Sequence, residues 1–270
     1  NSCSNGGADS VEQDPTLGDL FGNPKVVGEG REPARADFQV FENLELALSG
    51  KGPESSSRFL DLNGEWRFRW VAHYQDLADG FQQEDAAHES WDKLSVPSTW
   101  ERSGYGYPIY VNTTYCYETN PPCIKYRGED TLYNPTGAYR KYFEPPAAWL
   151  TGHQVFLHIG AVASAAQVWV NGSEVGFSTD SKLPVEFDIT RWLKQGRNLL
   201  AVKVVCWAAS SYMECQDTWW FSGITRDVYL FARPKQHIRD VWVRASADGA
   251  LEIDSQVSPT TDPGAILQCE

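Results

Sequence analysis

Alternating apolar and polar residues predict β-strands along most of the chain. Residues 65–70 alternate apolar and charged side chains with a period of two, which is typical of a half-buried strand. Residues 199–207 are apolar almost throughout, as expected for a central strand covered on both faces. Asn171 and Gly172 separate two short strand candidates, and because both residues tolerate positive φ they predict a tight hairpin turn.

The remaining pattern predicts an all-β fold with little helix. Further strands are predicted at residues 93–96, 139–143, 154–159, 167–170, 174–177 and 227–231. Helical patterns occur only at residues 189–193 and, more weakly, at residues 38–48. Eight or nine short strands with long loops between them indicate a jelly-roll β-sandwich.

The pattern also divides the chain into four parts. Residues 1–22 are small and polar and predict a flexible tether, and residues 23–58 predict an irregular, proline-containing leader. The jelly roll is expected over residues 59–234. Residues 235–270 hold one more pair of predicted strands, at 238–244 and 251–257. Two strands cannot form a domain alone, so this part is expected to be the truncated beginning of a second, immunoglobulin-like sandwich.

Composition excludes several classes of protein. The 270 residues carry a formal net charge of -13, which disfavours binding to nucleic acid because phosphates need Lys and Arg. No stretch reaches the about 18 to 20 apolar residues of a membrane helix. The 11 Trp and 12 Tyr fit either a β-rich core or a carbohydrate-facing surface, and composition does not separate the two.

The cysteines provide evidence about the cellular compartment in which the protein resides. Six are present without a C-x-x-C pair, and the five histidines do not cluster with them, which disfavours a zinc site. Local disulfides in an oxidising compartment and free thiols in a cytosolic protein both remain open. Cys3, followed by Ser and Gly residues, matches a processed bacterial lipoprotein, so we expect export to the periplasm or cell exterior with Cys3 as the anchor. An unstructured chain end is the alternative.

No self-sufficient active site is visible. The chain has no G-x-S-x-G, P-loop or H-E-x-x-H motif, and no carboxylate pair stands out, so we predict no catalytic residue within it. Two segments, 108–115 and 212–223, instead place carboxylates and amides among aromatic rings. Such groups suit sugars, because acceptors bind hydroxyls and rings cover apolar C–H faces. The competing interpretation is that these rings belong to the core and that the acids cap loops.

Several motifs, in order, resemble the N-terminal region of β-galactosidases of glycoside hydrolase family 2. They are L-N-G-E-W-R-F at 62–68, V-P-S-T-W at 96–100, G-Y-P-I-Y-V-N-T-T-Y at 106–115, W-V-N-G at 169–172, G-F-S-T-D-S-K-L-P-V-E-F-D at 176–188 and S-G-I-T-R-D-V-Y-L at 222–230. The resemblance covers roughly residues 20–257. The patterns P-I-Y-x-N-x-T-Y and E-x-Q-D favour β-galactosidases over the glucuronidase and mannosidase relatives.

The resemblance implies a retaining exo-β-galactosidase that hydrolyses terminal β-D-galactosides, with this chain as its non-catalytic N-terminal portion. The TIM barrel that carries the catalytic glutamates is absent, so the chain alone is expected to be inactive. The missing catalytic domain and a β-galactoside would be its partners, and the full-length protein would be a homo-oligomer. Two alternatives stay open: a free-standing jelly-roll carbohydrate-binding module, and the same portion of a β-glucuronidase or β-mannosidase.

Two residues can be matched to family roles. Asn112 is expected to contact galactose, and Asp217 to bind the galactose 6-hydroxyl together with a sodium ion. Glu214 is expected to support the same loop. Magnesium is expected only in the absent catalytic domain.

The chain departs from the family where cysteines stand in place of charged residues. Cys206 replaces an Arg and Cys215 an Asp, which suggests that a charge network was exchanged for a Cys206–Cys215 disulfide. A second disulfide, Cys116–Cys123, would stiffen an Asn-Pro-Pro loop. These changes put the sugar preference in question.

Overall fold

The computed structural model describes residues 17–258. The strands in this range are β1 (Gly28–Glu29), β2 (Phe59–Asp61), β3 (Gly64–Val71), β4 (Asp92–Val96), β5 (Ile109–Val111), β6 (Thr136–Phe143), β7 (His153–Ile159), β8 (Val162–Ala163), β9 (Ala165–Val170), β10 (Ser173–Ser178), β11 (Val185–Asp188), β12 (Asn198–Val205), β13 (Thr218–Trp220), β14 (Gly223–Ile224), β15 (Val228–Pro234), β16 (His237–Ala245) and β17 (Leu251–Ser258). The α-helices are α1 (Gly18–Phe21), α2 (Leu44–Leu48) and α3 (Ser211–Glu214), with 3-10 turns at Pro53–Ser55, Tyr74–Asp76, Glu101–Ser103, Ala147–Leu150 and Thr190–Trp192.

Two antiparallel sheets form the body of the molecule, which confirms the predicted all-β sandwich. The larger sheet has seven strands in the order β1-β10-β9-β12-β6-β3-β4, and the smaller has four in the order β11-β7-β15-β2. Three two-stranded pairs complete the fold: β5 with β13, β8 with β14 and β16 with β17. The main core lies between the two sheets.

The two strongest strand patterns behave as predicted. In β3, Trp66 and Phe68 are 1% and 0% exposed, while the intervening Arg67 is only partly buried. Strand β12 lies between β9 and β6, and all its residues except Lys203 are buried. Its second face is covered because Ala201 packs in a small cluster with Phe81.

The predicted hairpin turn is confirmed. Asn171 and Gly172 have φ values of 51° and 81°, and β9 and β10 pair immediately on either side of them. The Asn171 side chain also fixes the turn to the next strand, since its Oδ1 accepts a hydrogen bond from the backbone N–H of Leu199 at 2.9 Å.

The predicted tether was too long. Leu17 and Phe21 are 1% and 0% exposed, and the Phe21 ring packs edge-on against Tyr74 and Phe177 at 6.2 Å. The surrounding small polar residues suggested an unstructured segment, but the burial of these two large apolar side chains attaches its described end to the sandwich. The expected anchor at Cys3 lies outside the described residues.

Helix is scarcer than the pattern suggested. The helix predicted at 189–193 is a single 3-10 turn, and the weak candidate at 38–48 forms α2 over only its last five residues.

The strand pair predicted near the end is present as β16 and β17. Trp242 lies on the surface of this pair and is 63% exposed. No helix among residues 17–258 is long and apolar enough to cross a membrane.

Candidate functional site

The ribbon of β5 and β13 brings together the two segments singled out in the sequence. Tyr110 pairs with Trp219 across the ribbon. Beyond its end, the backbone N–H of Asp217 donates to the carbonyl oxygen of Asn112 at 3.3 Å. The two residues assigned to galactose contact therefore lie on adjacent segments, and both are exposed.

An exposed carboxylate lies beside two exposed rings on this ribbon. The Tyr110 hydroxyl donates to Oδ1 of Asp217 at 2.6 Å, and this hydrogen bond raises the pKa of Tyr110. The rings of Tyr110 and Trp219 are 5.4 Å apart and are 49% and 56% exposed. The interpretation that these aromatic residues belong to the core is therefore wrong for this pair. Asp217 has a φ of 46°, so the carboxylate is set on a left-handed backbone turn.

Glu214 lies behind the exposed ribbon. Its Oε1 accepts a hydrogen bond from the backbone N–H of Ser181 at 3.1 Å, which ties α3 to the segment between β10 and β11. Burial raises the pKa of Glu214. The supporting role expected of Glu214 stays a prediction.

A set of buried and partly buried rings, here called the aromatic cluster, packs beneath the two loops. Its members are Tyr115, Tyr117, Tyr126, Tyr133, Trp207 and Tyr212. Trp207 is fully buried and stacks on Tyr126 at 5.6 Å. The Tyr115 hydroxyl donates to the Tyr212 carbonyl at 2.7 Å, so the cluster also joins the two loops by a hydrogen bond.

Sequence reasoning missed Glu101, a partly buried carboxyl group that braces the second loop. Both its side-chain oxygens accept from the backbone N–H of Ser222 at 3.0 Å. Burial raises the pKa of Glu101 to about 7, although the hydrogen bond from Ser222 works against the shift. No sequence signal distinguishes this residue from an exposed loop glutamate, because its burial is created by packing.

The predicted disulfides are not formed. Cys116, Cys206 and Cys215 are all free thiols, so the pairs Cys206–Cys215 and Cys116–Cys123 were both wrong. Cys123 is in a disulfide, but its partner is none of these three residues. Closeness along the chain was a poor guide because strand register sets which side chains meet. The sulfur of Cys206 instead accepts a hydrogen bond from the Ser222 hydroxyl at 3.1 Å.

The residues present fit a sodium ion only in part. A hard cation takes oxygen ligands, and the exposed carboxylate of Asp217 is one suitable donor. Among the described residues no group of three His, Cys, Asp or Glu side chains is placed to hold a metal ion. Most of a coordination shell at Asp217 would therefore have to come from other oxygen atoms.

A concave region lies between the leader and the smaller sheet. It encloses about 1030 Å³ and is lined by Arg35, His158, Glu186 and Tyr229, among others. Arg35 donates two hydrogen bonds to Glu186, at 2.7 and 2.8 Å, and His158 contacts the same carboxylate at 2.9 Å. These paired charges hold the leader against the sheet.

Comparison with known proteins agrees with this fold. The two antiparallel sheets define the class of β-sandwich domains. Residues 59–234 match the family model for the sugar binding domain of the glycosyl hydrolases family 2. The chain belongs to glycoside hydrolase family 2 and corresponds to an N-terminal region of such an enzyme.

The chain is similar to several curated proteins. It is 40% identical over 244 residues to a beta-galactosidase of Priestia megaterium, covering 89% of this chain and 23% of the relative. It is 41% identical over 228 residues to a beta-galactosidase of Arthrobacter sp. (strain B7), covering 78% of this chain and 22% of the relative. The chain thus spans less than a quarter of the length of these relatives.

Solved structures support the fold. A beta-glucuronidase of Bacteroides uniformis superposes with a TM-score of 0.56 at 23% identity, over 74% of this chain and 22% of the other.

Proposed function

We propose that the chain is the non-catalytic N-terminal portion of a retaining exo-β-galactosidase that hydrolyses terminal β-D-galactosides, and that the β5–β13 ribbon contributes to its galactose subsite. The pairing that places Asn112 beside Asp217, next to the exposed Tyr110 and Trp219, is the observation that carries this proposal. The chain's similarity to beta-galactosidases supports the choice of reaction.

Each group on the ribbon has a role that follows from its chemistry. The Asp217 carboxylate accepts protons from sugar hydroxyls, and the hydroxyl of Tyr110 fixes its orientation. Asn112 offers both donors and an acceptor. The Trp219 ring offers an apolar face for the C–H side of a pyranose.

A sodium ion at Asp217 belongs to the same proposal. When bound, the ion would supply positive charge beside a sugar hydroxyl. Asp217 would be one of its oxygen ligands, and the remaining ligands would come from the sugar and from parts of the enzyme beyond the described residues. Magnesium is assigned only to the catalytic domain.

Hydrolysis itself is assigned to another part of the enzyme. A retaining glycosidase needs two carboxyl groups roughly 5 to 5.5 Å apart across the scissile bond. In this proposal those groups lie in a TIM barrel that is the partner of this chain, and the ribbon only binds and orients the galactosyl group. The homo-oligomeric state of the full-length enzyme is a further part of the proposal.

Galactose is favoured over glucuronic acid and mannose as the sugar. The beta-galactosidase relatives are 36 to 41% identical to the chain, whereas the similarity to beta-glucuronidase structures, at 23% identity or less, extends to the fold alone.

Export from the cytoplasm is also part of the proposal. The disulfide at Cys123 supports it, because such bonds persist in oxidising compartments.

The sharpest test uses the full-length enzyme with Asp217→Asn. Losing one charge-assisted hydrogen bond costs about 1.5 to 3 kcal/mol, so we expect KM for a β-galactoside to rise about tenfold or more. Stimulation by sodium should fall in the same variant. Thr114→Ala, an exposed residue further along the same loop, is the matched control and should leave KM unchanged.

An unchanged KM for Asp217→Asn would contradict the role of the ribbon. Turnover of a β-galactoside by the 270-residue chain alone would contradict the assignment of hydrolysis to another domain.

A free-standing carbohydrate-binding module is the second candidate function, favoured by the exposure of Tyr110 and Trp219. Calorimetric titration of the chain with galactose distinguishes the module from the enzyme portion, since micromolar binding would support the module.

A further inference from the structure

Two free thiols lie on the two loops that carry the proposed subsite. The side chains of Cys116 and Cys215 interact with one another. Cys116 is partly exposed to solvent, whereas Cys215 is 1% exposed. Neither thiol has a part in the proposed binding of sugar.

The backbone brings these two cysteines together. Beyond the β5–β13 ribbon the two segments continue side by side, joined by the hydrogen bond from the backbone of Asp217 to that of Asn112. The hydroxyl of Tyr115 then reaches the carbonyl oxygen of Tyr212, and their rings meet edge to face at 5.2 Å. Cys116 and Cys215 are therefore held on opposite segments of one braced pair.

The third free thiol in the described part of the chain is held differently. Cys206 is 4% exposed, and its sulfur accepts a hydrogen bond from the Ser222 hydroxyl. Cys206 is less exposed than Cys116, and it does not lie on either of the two paired loop segments. Cys206 therefore serves as an internal comparison for the pair.

We propose that Cys116 and Cys215 are a redox-responsive dithiol that closes to a disulfide across the two loops, with a low-molecular-weight disulfide such as oxidised glutathione as the oxidant. The partly exposed thiol of Cys116 is the site of entry, and the buried thiol of Cys215 resolves the intermediate.

The reaction proceeds in two thiol–disulfide exchanges. The Cys116 thiolate attacks one sulfur of oxidised glutathione, which forms a mixed disulfide at Cys116 and releases one glutathione thiolate. The Cys215 thiolate then attacks the Cys116 sulfur, which forms the Cys116–Cys215 bond and releases the second glutathione thiolate. The protein loses two thiol protons and two electrons, and one oxidised glutathione becomes two reduced molecules.

The consequence for the enzyme rests on the proposed function. Cys116 is four residues from Asn112, and Cys215 is two residues from Asp217. A covalent bond between them would fix the spacing of the two segments that present these side chains. Oxidation would then change KM for a β-galactoside in the full-length enzyme.

The bond is tested on the 270-residue chain in glutathione buffers of increasing oxidised fraction, with alkylation of free thiols and peptide mapping. We expect the loss of two free thiols, a peptide that links Cys116 to Cys215, and reversal by reduced glutathione. Cys206→Ser should form the same link. Cys215→Ser should stop at a glutathione adduct on Cys116.

Three outcomes of the mapping would overturn the proposal. They are a Cys116 that stays free in oxidising buffer, a glutathione adduct that persists on Cys116 in the wild-type chain, and a link from Cys116 to Cys206 or Cys123. The wild-type map decides the matter even if a variant fails to fold. The link can also form while KM of the full-length enzyme is the same in the oxidised and reduced forms. That result would support the redox-responsive dithiol and reject its coupling to the sugar subsite.

Discussion

The aromatic cluster and the exposed ribbon use the same kinds of ring in opposite environments. Trp207, in the cluster, is fully buried, whereas Trp219, only twelve residues later, is 56% exposed. Tyr117 and Tyr110 repeat the contrast, at 0% and 49% exposed. The comparison shows that tryptophan and tyrosine content alone does not reveal whether a ring stabilises the fold or faces a ligand.

The difference arises from the number of layers around each ring. Trp207 follows the central strand β12 and is enclosed by rings and by Asn134, which exchanges two hydrogen bonds of 3.0 Å with its backbone. Trp219 lies on a two-stranded ribbon outside both main sheets, and a ribbon of two strands cannot cover both of its faces. One ring therefore contributes to stability and the other remains available for contact.

The largest expected effect is on stability, from Trp207→Ala. Removing a fully buried indole leaves a cavity, so we expect the free energy of unfolding to fall by about 3 to 5 kcal/mol. Denaturant titration of the 270-residue chain measures it. A loss below about 1 kcal/mol would show that the cluster is loosely packed and would remove the contrast with the ribbon.

An intermediate effect is expected from Glu101, which accepts hydrogen bonds from Ser222, just after the ribbon. Burial raises its pKa to about 7 in the folded chain, from an ordinary value of 4.5. The folded state therefore binds the proton more tightly than the unfolded state, and stability falls as the pH rises through this interval and is level above it. Because the group keeps some contact with solvent, we expect a loss on the order of 1 kcal/mol between pH 5 and pH 8.

Glu101→Gln isolates this contribution, since the amide does not ionise but its oxygen still accepts from Ser222. Unfolding titrations of the wild type and the variant at several pH values should diverge between pH 5 and pH 7. Parallel stability curves would mean that Glu101 does not titrate differently in the two states.

The smallest expected effect on stability comes from Trp219→Ala on the ribbon. The exposed indole touches only Tyr110 among the aromatic rings of the described residues, so we expect the free energy of unfolding to change by no more than about 0.5 kcal/mol. The same denaturant titration measures it beside Trp207→Ala. A change as large as that of Trp207→Ala would make the ribbon part of the core and would weaken the assignment of a binding surface.

The strands of the two main sheets were largely predictable because their burial leaves a local pattern. Strand β3 carries a clear period of two, and the turn at Asn171 carries its own signal in residue type. The shortest strands, such as β5 and β13, were not predicted as strands. Three residues are too few for a period to emerge, and their pairing joins segments more than a hundred residues apart.

The candidate site was predictable in residue type but not in geometry. The motifs around Asn112 and Asp217 indicated sugar-binding chemistry, and their adjacency came only from the register of the ribbon. The hydrogen bond from Tyr110 to Asp217 and the burial of Glu101 have no sequence signal. Both depend on which distant segments pack together.

The amino-acid sequence by itself determined the all-β class, the central strand β12, the tight turn at Asn171 and the family. Each of these leaves a mark within a short stretch of chain, as a periodicity, a turn residue or a motif. Tertiary structure alone decided that Cys116 faces Cys215 while Cys206 bonds to Ser222, and that Trp207 is buried while Trp219 is exposed. The physical reason is that these contacts join residues distant in sequence, whose meeting is fixed by strand register and by the layers stacked around them.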